Sequence, residues 1–99
     1  MIRQIAVHGT PEELELFLQD HPEDLHHKDS NGWTVVHEAS RSGKLQLVKK
    51  IIELGVDKDL LTHAGNSPLN VARQYLPERH EVIKYLESIG AQDILDQEL

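Results

Sequence analysis

An internal repeat of about 33 residues constrains this chain more than any other feature of its sequence. Gly32-x-Thr34 recurs as Gly65-x-Ser67, and Ala39 recurs as Ala72 in the same register. Such a period is typical of solenoids, in which one copy is too small to bury its apolar face and is sealed by its neighbours. The sequence therefore predicts a stack of similar units within a single domain, residues 1–99.

The central copy, residues 29–58, has the pattern of a turn, a short helix, a second turn and a longer helix. Asn31-Gly32 is a turn dipeptide, and Thr34 stands where a helix starting at Val35 needs a cap. Gly43 predicts the end of that helix, and Gly55 predicts a left-handed end to the next one. The second helix is indicated by an apolar stripe at helical spacing: Leu47, Val48, Ile51, Ile52 and Leu54.

The two other copies are atypical, as terminal units of a stack must be where their outer faces meet water. The first, residues 2–25, lacks a preceding turn. The third, residues 62–91, places Pro68 at the first helical position and ends at Gly90, with a longer connection after Tyr75. Residues 92–99 are predicted to be a tail.

Composition narrows the fold class and the range of partners. Aromatic residues make up only 4% of the chain, so aliphatic side chains must build the core, which favours an all-α architecture. The absence of cysteine excludes disulfides and thiolate chemistry and fits an intracellular location, cytoplasmic or nuclear. A net charge of -7 disfavours binding to nucleic acid, and no apolar run is long enough for a membrane span.

These motifs resemble the ankyrin repeat, whose pattern is a glycine turn, Thr-Pro-Leu-His-x-Ala, a mid-repeat glycine and a closing Gly-Ala or Gly-Val. The resemblance covers residues 3–91 and is carried best by residues 32–39 and 65–72. It departs at Val35-Val36, which replace Pro-Leu, and at Asn70, which replaces the histidine. The residues that match the pattern are Gly32, Thr34, His37, Ala39, Gly43, Gly55, Gly65, Pro68, Ala72 and Gly90.

The resemblance implies an all-α solenoid of stacked helix-turn-helix units with projecting loops or hairpins, and a concave face formed by the loop tips and first helices. It implies a module that binds another protein through that face and has no catalytic activity and no cofactor. We expect this module to be a monomer. An alternative is the non-catalytic recognition or targeting arm of a larger multidomain enzyme. His37 is expected to bond to the backbone of the neighbouring loop.

Candidate partner-binding residues follow from the positions that vary on the binding side of the family. Trp33 is the sharpest, because tryptophan is enriched among interface hot spots. The alternative for Trp33 is that its ring covers apolar surface of the neighbouring loop. The full set of candidates is Ser30, Asn31, Trp33, Arg41, Ser42, His63, Asn66, Gln74 and Tyr75.

Chemistry at a metal or catalytic site is not indicated. His26 and His27, with Asp24 and Asp29 nearby, offer suitable ligand atoms, but adjacent loop residues seldom converge on one ion. The serines lack a glycine-flanked nucleophile elbow, and the sequence contains neither a phosphate-binding glycine loop nor a HExxH motif. We therefore predict no catalytic residues and no metal ligands.

Overall fold

A computed structural model describes residues 2–92, which form three helix pairs. The first pair is α1 (Ile2–His8) and α2 (Pro11–Asp20), followed by a 3-10 helix (Pro22–His26). The second pair is α3 (Val35–Ser42) and α4 (Leu45–Glu53). The third is α5 (Pro68–Tyr75) and α6 (Glu81–Ser88).

The pairs stack side by side in two helix layers. Helix α3 contacts both α1 and α5 in one layer, and α4 contacts both α2 and α6 in the other. Within the pairs, α1 contacts α2, α3 contacts α4 and α5 contacts α6. This arrangement confirms the predicted all-α repeat fold, since each pair buries the apolar face that its neighbour leaves open.

Small side chains allow the first-layer helices to approach closely. Ala6, Ala39 and Ala72 are all fully buried, one in each of the three helices of that layer. The second layer contributes larger aliphatic side chains, and the fully buried ones there are Leu14, Val48, Ile51, Val82 and Leu86. The core therefore lies between the layers and extends continuously through all three pairs.

Local signals set the helix boundaries. The Thr10 hydroxyl accepts from the Glu13 N–H at 3.2 Å and caps α2. Gly43, with φ of 71°, ends α3 in the left-handed conformation predicted for it. Pro68 occupies the first turn of α5, where its missing N–H is no loss. The 3-10 helix, which begins at Pro22, was not predicted from the sequence.

The longer connection between α5 and α6 runs from Leu76 to His80. Leu76 is extended, and its side chain packs against the core. The His80 N–H donates to the Pro77 carbonyl at 3.0 Å, and the His80 ring accepts from the Val82 N–H at 3.1 Å, capping α6. A histidine thus takes the capping role that Ser or Thr fills elsewhere in the chain.

The loops that precede α3 and α5 are tight turns, and residues 2–92 contain no β-strand. The projecting segments are thus loops rather than paired hairpins in the part of the chain that the structure describes. The repeat boundaries 2–25, 29–58 and 62–91 stay a prediction. The predicted tail lies outside the described residues apart from Gln92.

Candidate functional site

The loop before α3 is organised by the carboxylate of Asp29. Its Oδ1 accepts from the Asn31 N–H at 2.8 Å and from the Trp33 N–H at 2.9 Å. The hydrogen bond from Trp33 is the main cause that holds the pKa of Asp29 below its ordinary value. The carboxylate therefore fixes the turn that presents Asn31 and Trp33 at its tip.

Consecutive loops are linked through their backbones at Gly32. The His63 N–H donates to the Asn31 carbonyl at 2.9 Å. Gly32 has φ of 78°, and a Cβ added there would lie 2.7 Å from the His63 nitrogen and 2.5 Å from its ring Cδ2. Only glycine meets both the conformation and the spacing, so this residue sets the distance between the two loop tips.

Trp33 lies at the centre of an aromatic and cationic cluster. Its ring is partly buried and stands edge-on to Tyr75, with ring centroids 6.5 Å apart and an interplanar angle of 73°. The Arg41 guanidinium lies over the Tyr75 ring, 5.7 Å from its centroid. Tyr75 is 56% exposed. The cluster is thus supported by its own contacts while one aromatic surface faces solvent.

Beneath this cluster lies the carboxylate of Glu38, which sequence reasoning missed. Its side chain is only 6% exposed and is held between two arginines, with Arg3 Nε at 3.2 Å and Arg41 Nη2 at 3.5 Å. The sequence contained a signal for this ion pair. A charged residue between His37 and Ala39, in a helix predicted to be buried, needs a partner of opposite charge, and Arg41 follows three residues later. Arg3, on α1, could not have been placed there from the sequence.

Four of the nine predicted partner-binding residues line one groove: Asn31, Trp33, Arg41 and Tyr75. The groove also contains Arg3, Asp29 and Glu38, so it runs across the first helix layer and the tip of the loop before α3. The other five do not line it. Ser30 and His63 are exposed, Ser42 is partly buried at the end of α3, and the Gln74 amide lies 3.4 Å from the Asn66 side chain.

The His37 ring ties α3 to the following loop. Its Nδ1 accepts from the Thr34 N–H at 3.1 Å, and its Nε2 donates to the Leu60 carbonyl at 2.8 Å, the contact expected of this residue. Burial lowers the pKa of His37, against the opposing effect of the Leu60 carbonyl. The neutral ring with its proton on Nε2 satisfies both hydrogen bonds.

The third unit uses Asn70 where the second uses His37. Its Oδ1 accepts from the Ser67 N–H at 3.1 Å, and the Ser67 hydroxyl accepts from the Asn70 N–H at 3.1 Å. The remaining motif residues have structural positions. Ala39, Pro68 and Ala72 are buried in the helices, and Gly55, Gly65 and Gly90 have positive φ in turns.

Residues 2–92 contain neither a candidate metal site nor a helix suited to a membrane span. No group of three or more His, Asp or Glu residues there could hold a metal ion, and His26 and His27 are both exposed. No helix in the same range is long and apolar enough to cross a bilayer.

Stacked helix pairs joined by tight loops, with a groove across the first layer, define a repeat-type scaffold. The sequence matches the family described as "Ankyrin repeats (3 copies)" over residues 2–97, and the chain belongs to that family. It is 33% identical to human SH3 and multiple ankyrin repeat domains protein 2 over 70% of its own length. It is 27% identical to human ankyrin repeat domain-containing protein 40 over 86% of its length, and 31% identical to human protein phosphatase 1 regulatory subunit 27 over 62%.

The chain spans less than half of each of these relatives. It covers 4% of the SH3 and multiple ankyrin repeat protein, 22% of the ankyrin repeat domain-containing protein and 40% of the phosphatase regulatory subunit. Ankyrin repeats generally mediate interactions between proteins, and the names of these relatives describe repeat-containing or regulatory proteins. The similarity therefore concerns the repeat unit and not the whole of any relative.

Proposed function

We propose that this chain is a protein-protein interaction module that binds its partner through the loop tips and the first helix layer. The observation that carries the proposal is the groove that brings together Trp33, Tyr75, Arg41 and Asn31. Aromatic and arginine side chains are the types most enriched at the energetic centres of protein interfaces. The face they occupy is the one that the family resemblance assigns to partners.

Rigid presentation supports this function. Asp29 fixes the tip of the loop before α3, and a backbone hydrogen bond from His63 to Asn31 joins this loop to the next one. The Trp33 ring packs against Tyr75 and His37. A surface ordered before binding loses little conformational entropy on association. The groove can therefore serve as a pre-formed site with no catalytic step and no cofactor.

The test is a partner-capture assay with the purified chain and three alanine variants. Trp33→Ala and Tyr75→Ala remove the groove aromatics, and Leu16→Ala removes a side chain that is 64% exposed on α2 in the other layer. We expect each of the two groove variants to capture roughly tenfold less partner than the unmodified chain. Their melting temperatures should stay within a few degrees of that of the unmodified chain. Leu16→Ala should match the unmodified chain.

The same assay distinguishes an anchoring Trp33 from a covering one. Suppose that Trp33→Ala strongly lowers the melting temperature, but that the folded fraction of this variant still captures the partner. Trp33 then covers apolar surface and does not anchor the partner. If capture depends on Leu16 and not on the two aromatics, the binding face has been assigned to the wrong layer.

A second candidate function is that of the recognition or targeting arm of a larger enzyme. Each of these relatives is longer than this chain, which favours a module that works within a longer protein. The test is to isolate the native protein by immunoprecipitation, measure its mass and assay the isolate for activity. A mass equal to that of the 99-residue chain would contradict the arm hypothesis.

A further inference from the structure

A second pocket, of about 270 Å³, opens beside the groove where the start of α1, the 3-10 helix and the start of α3 meet. Part of its lining is apolar and consists of Ile2, Val35 and the Trp33 ring. The rest is polar and carries the carboxylates of Asp24, Asp29 and Glu38 together with Arg3, His27 and Thr34. The pocket therefore combines an aromatic wall with negative charge. A purely apolar cleft would lack the charge, and a purely acidic surface would lack the aromatic wall.

The three carboxylates differ in how far they are already satisfied. Both oxygens of Glu38 are bound by arginines. Asp29 uses Oδ1 for the turn, and no other residue in the described part of the chain donates to its Oδ2. Asp24 is partly buried, and its carboxylate has no hydrogen bond or ion pair within residues 2–92. Two acceptors thus stand available beside an aromatic ring.

The balance of charge identifies the chemistry of the occupant. Arg3 lines the pocket and Arg41 binds Glu38 beside it, so the three carboxylates exceed the two arginines by one negative charge, with histidine counted as neutral. The whole chain carries a net charge of -7. A cation is therefore drawn to the protein and then into this pocket. A planar guanidinium fits best, because it stacks on an aromatic face and pairs in a forked manner with carboxylates.

We propose that this pocket binds an arginine side chain of the partner protein, stacked on Trp33 and paired with Asp24 and Asp29. The inference rests on the proposed function, which it deepens by naming the chemistry of the partner. Lysine would fit less well, because its ammonium group offers a point charge without the planar face. The partner is accordingly a protein with an exposed arginine in a basic segment.

The test is a titration of the isotope-labelled chain with N-acetyl-arginine methylamide, followed by NMR. Trp33 is the single tryptophan of the sequence, so its indole N–H signal reports directly on this pocket. We expect a saturable shift of that signal with the arginine compound and a weaker one with the corresponding lysine compound. The citrulline compound, a neutral urea of nearly the same shape, should give no saturable shift.

A matched pair of variants separates the pocket from the overall charge. Asp29→Asn keeps an oxygen for the Asn31 and Trp33 N–H groups and removes the negative charge. Asp57→Asn removes one charge from a similar turn, in which Asp57 Oδ1 accepts from the Asp59 N–H at 2.9 Å outside the pocket. We expect Asp29→Asn to raise the Kd roughly tenfold, and Asp57→Asn, which removes the same charge outside the pocket, to change it less than about twofold.

Equal binding of the arginine and citrulline compounds would overturn the inference, as would equal effects of the pocket and control variants. Absence of any saturable shift would also overturn it. These outcomes are distinct from failure of the proposed function. A chain that captures its partner through Trp33 and Tyr75 but does not bind the arginine compound retains that function and loses only this pocket.

Discussion

At the residue scale, the histidine of the central unit connects helix capping with the contact between neighbouring units. His37 accepts from the Thr34 N–H at Nδ1 and donates from Nε2 to the Leu60 carbonyl in the next segment. The first of these bonds requires the neutral ring, because a protonated Nδ1 cannot accept. Its buried position lowers its pKa from the ordinary value of 6.5. Because the unfolded chain binds this proton more readily, stability is expected to fall as the pH drops below that value.

We predict that His37→Asn removes this part of the pH dependence. The replacement imitates Asn70, which forms the same capping bond with the N–H of Ser67. At pH 7.5 the variant should be less stable by about 1–2 kcal/mol, because the bond to the Leu60 carbonyl is lost. Urea unfolding at pH 7.5 and pH 5.5 measures the effect. An equal loss of stability on acidification in both proteins would show that the pH dependence does not arise from His37 and comes from other titratable groups.

A second residue-scale prediction compares two glycines of the loop tips. Gly32 and Gly65 have nearly the same φ, 78° and 82°, but a Cβ at Gly65 would meet nothing within 4 Å. Gly65→Ala should therefore lower the free energy of unfolding only by the cost of holding alanine in the left-handed conformation, about 1–2 kcal/mol. Gly32→Ala should cost at least about twice as much, because His63 must also move. Equal losses in thermal or urea unfolding would show that the spacing between the loops is not fixed at Gly32.

At the scale of helices, Glu38 joins α1 to α3 through an asymmetric ion network. The carboxylate is buried, whereas the side chains of Arg3 and Arg41 are 66% and 37% exposed. Loss of the carboxylate leaves two arginines that water can solvate. Loss of both arginines leaves a buried negative charge without a partner, which is the more costly change.

We predict that Glu38→Gln lowers the free energy of unfolding by less than about 1 kcal/mol, and that the double variant Arg3→Gln/Arg41→Gln lowers it by about 2 kcal/mol. Adding Glu38→Gln to the double variant should then restore part of the stability. Urea denaturation of the four proteins measures the coupling. A triple variant less stable than the double one would show that the carboxylate stabilises the helix contact in some other way.

The helices also show which parts of the fold and of the site a sequence can predict. The starts at Pro11, Val35 and Pro68 are set by residues immediately before them, so local signals were enough. The 3-10 helix and the histidine cap of α6 depend on less distinctive residues and were missed. The contact of Trp33 with Tyr75 joins residues of different units, and the link between Arg3 and Glu38 does the same. Such pairings depend on how units stack, which periodicity does not specify.

At the scale of the whole molecule, the continuous core predicts that the three helix pairs unfold together. Leu14 in the first pair and Leu86 in the third are both fully buried in the same cluster. We expect Leu14→Ala and Leu86→Ala each to cost about 2–5 kcal/mol. In both variants the fluorescence of Trp33, in the central unit, and the far-ultraviolet circular dichroism should change in one coincident transition.

Separate transitions for the two signals would contradict that prediction. They would show that an end pair can unfold while the central pair stays folded, as happens in repeat proteins whose units are weakly coupled. The groove would then lack the rigidity on which the proposed function depends, since Tyr75 belongs to the third unit and Trp33 to the second.

Site-specific photo-crosslinking to the native partner tests directly which face of the protein binds it. A photoreactive amino acid replaces Tyr75 in the groove or, as the control, Lys84, which is exposed on α6 in the other helix layer. We predict that position 75 yields one dominant crosslinked protein, whose yield falls in a background with Trp33→Ala, and that position 84 does not yield it. Equal crosslinking from both positions, or crosslinking from position 84 alone, would contradict the assignment of the binding face.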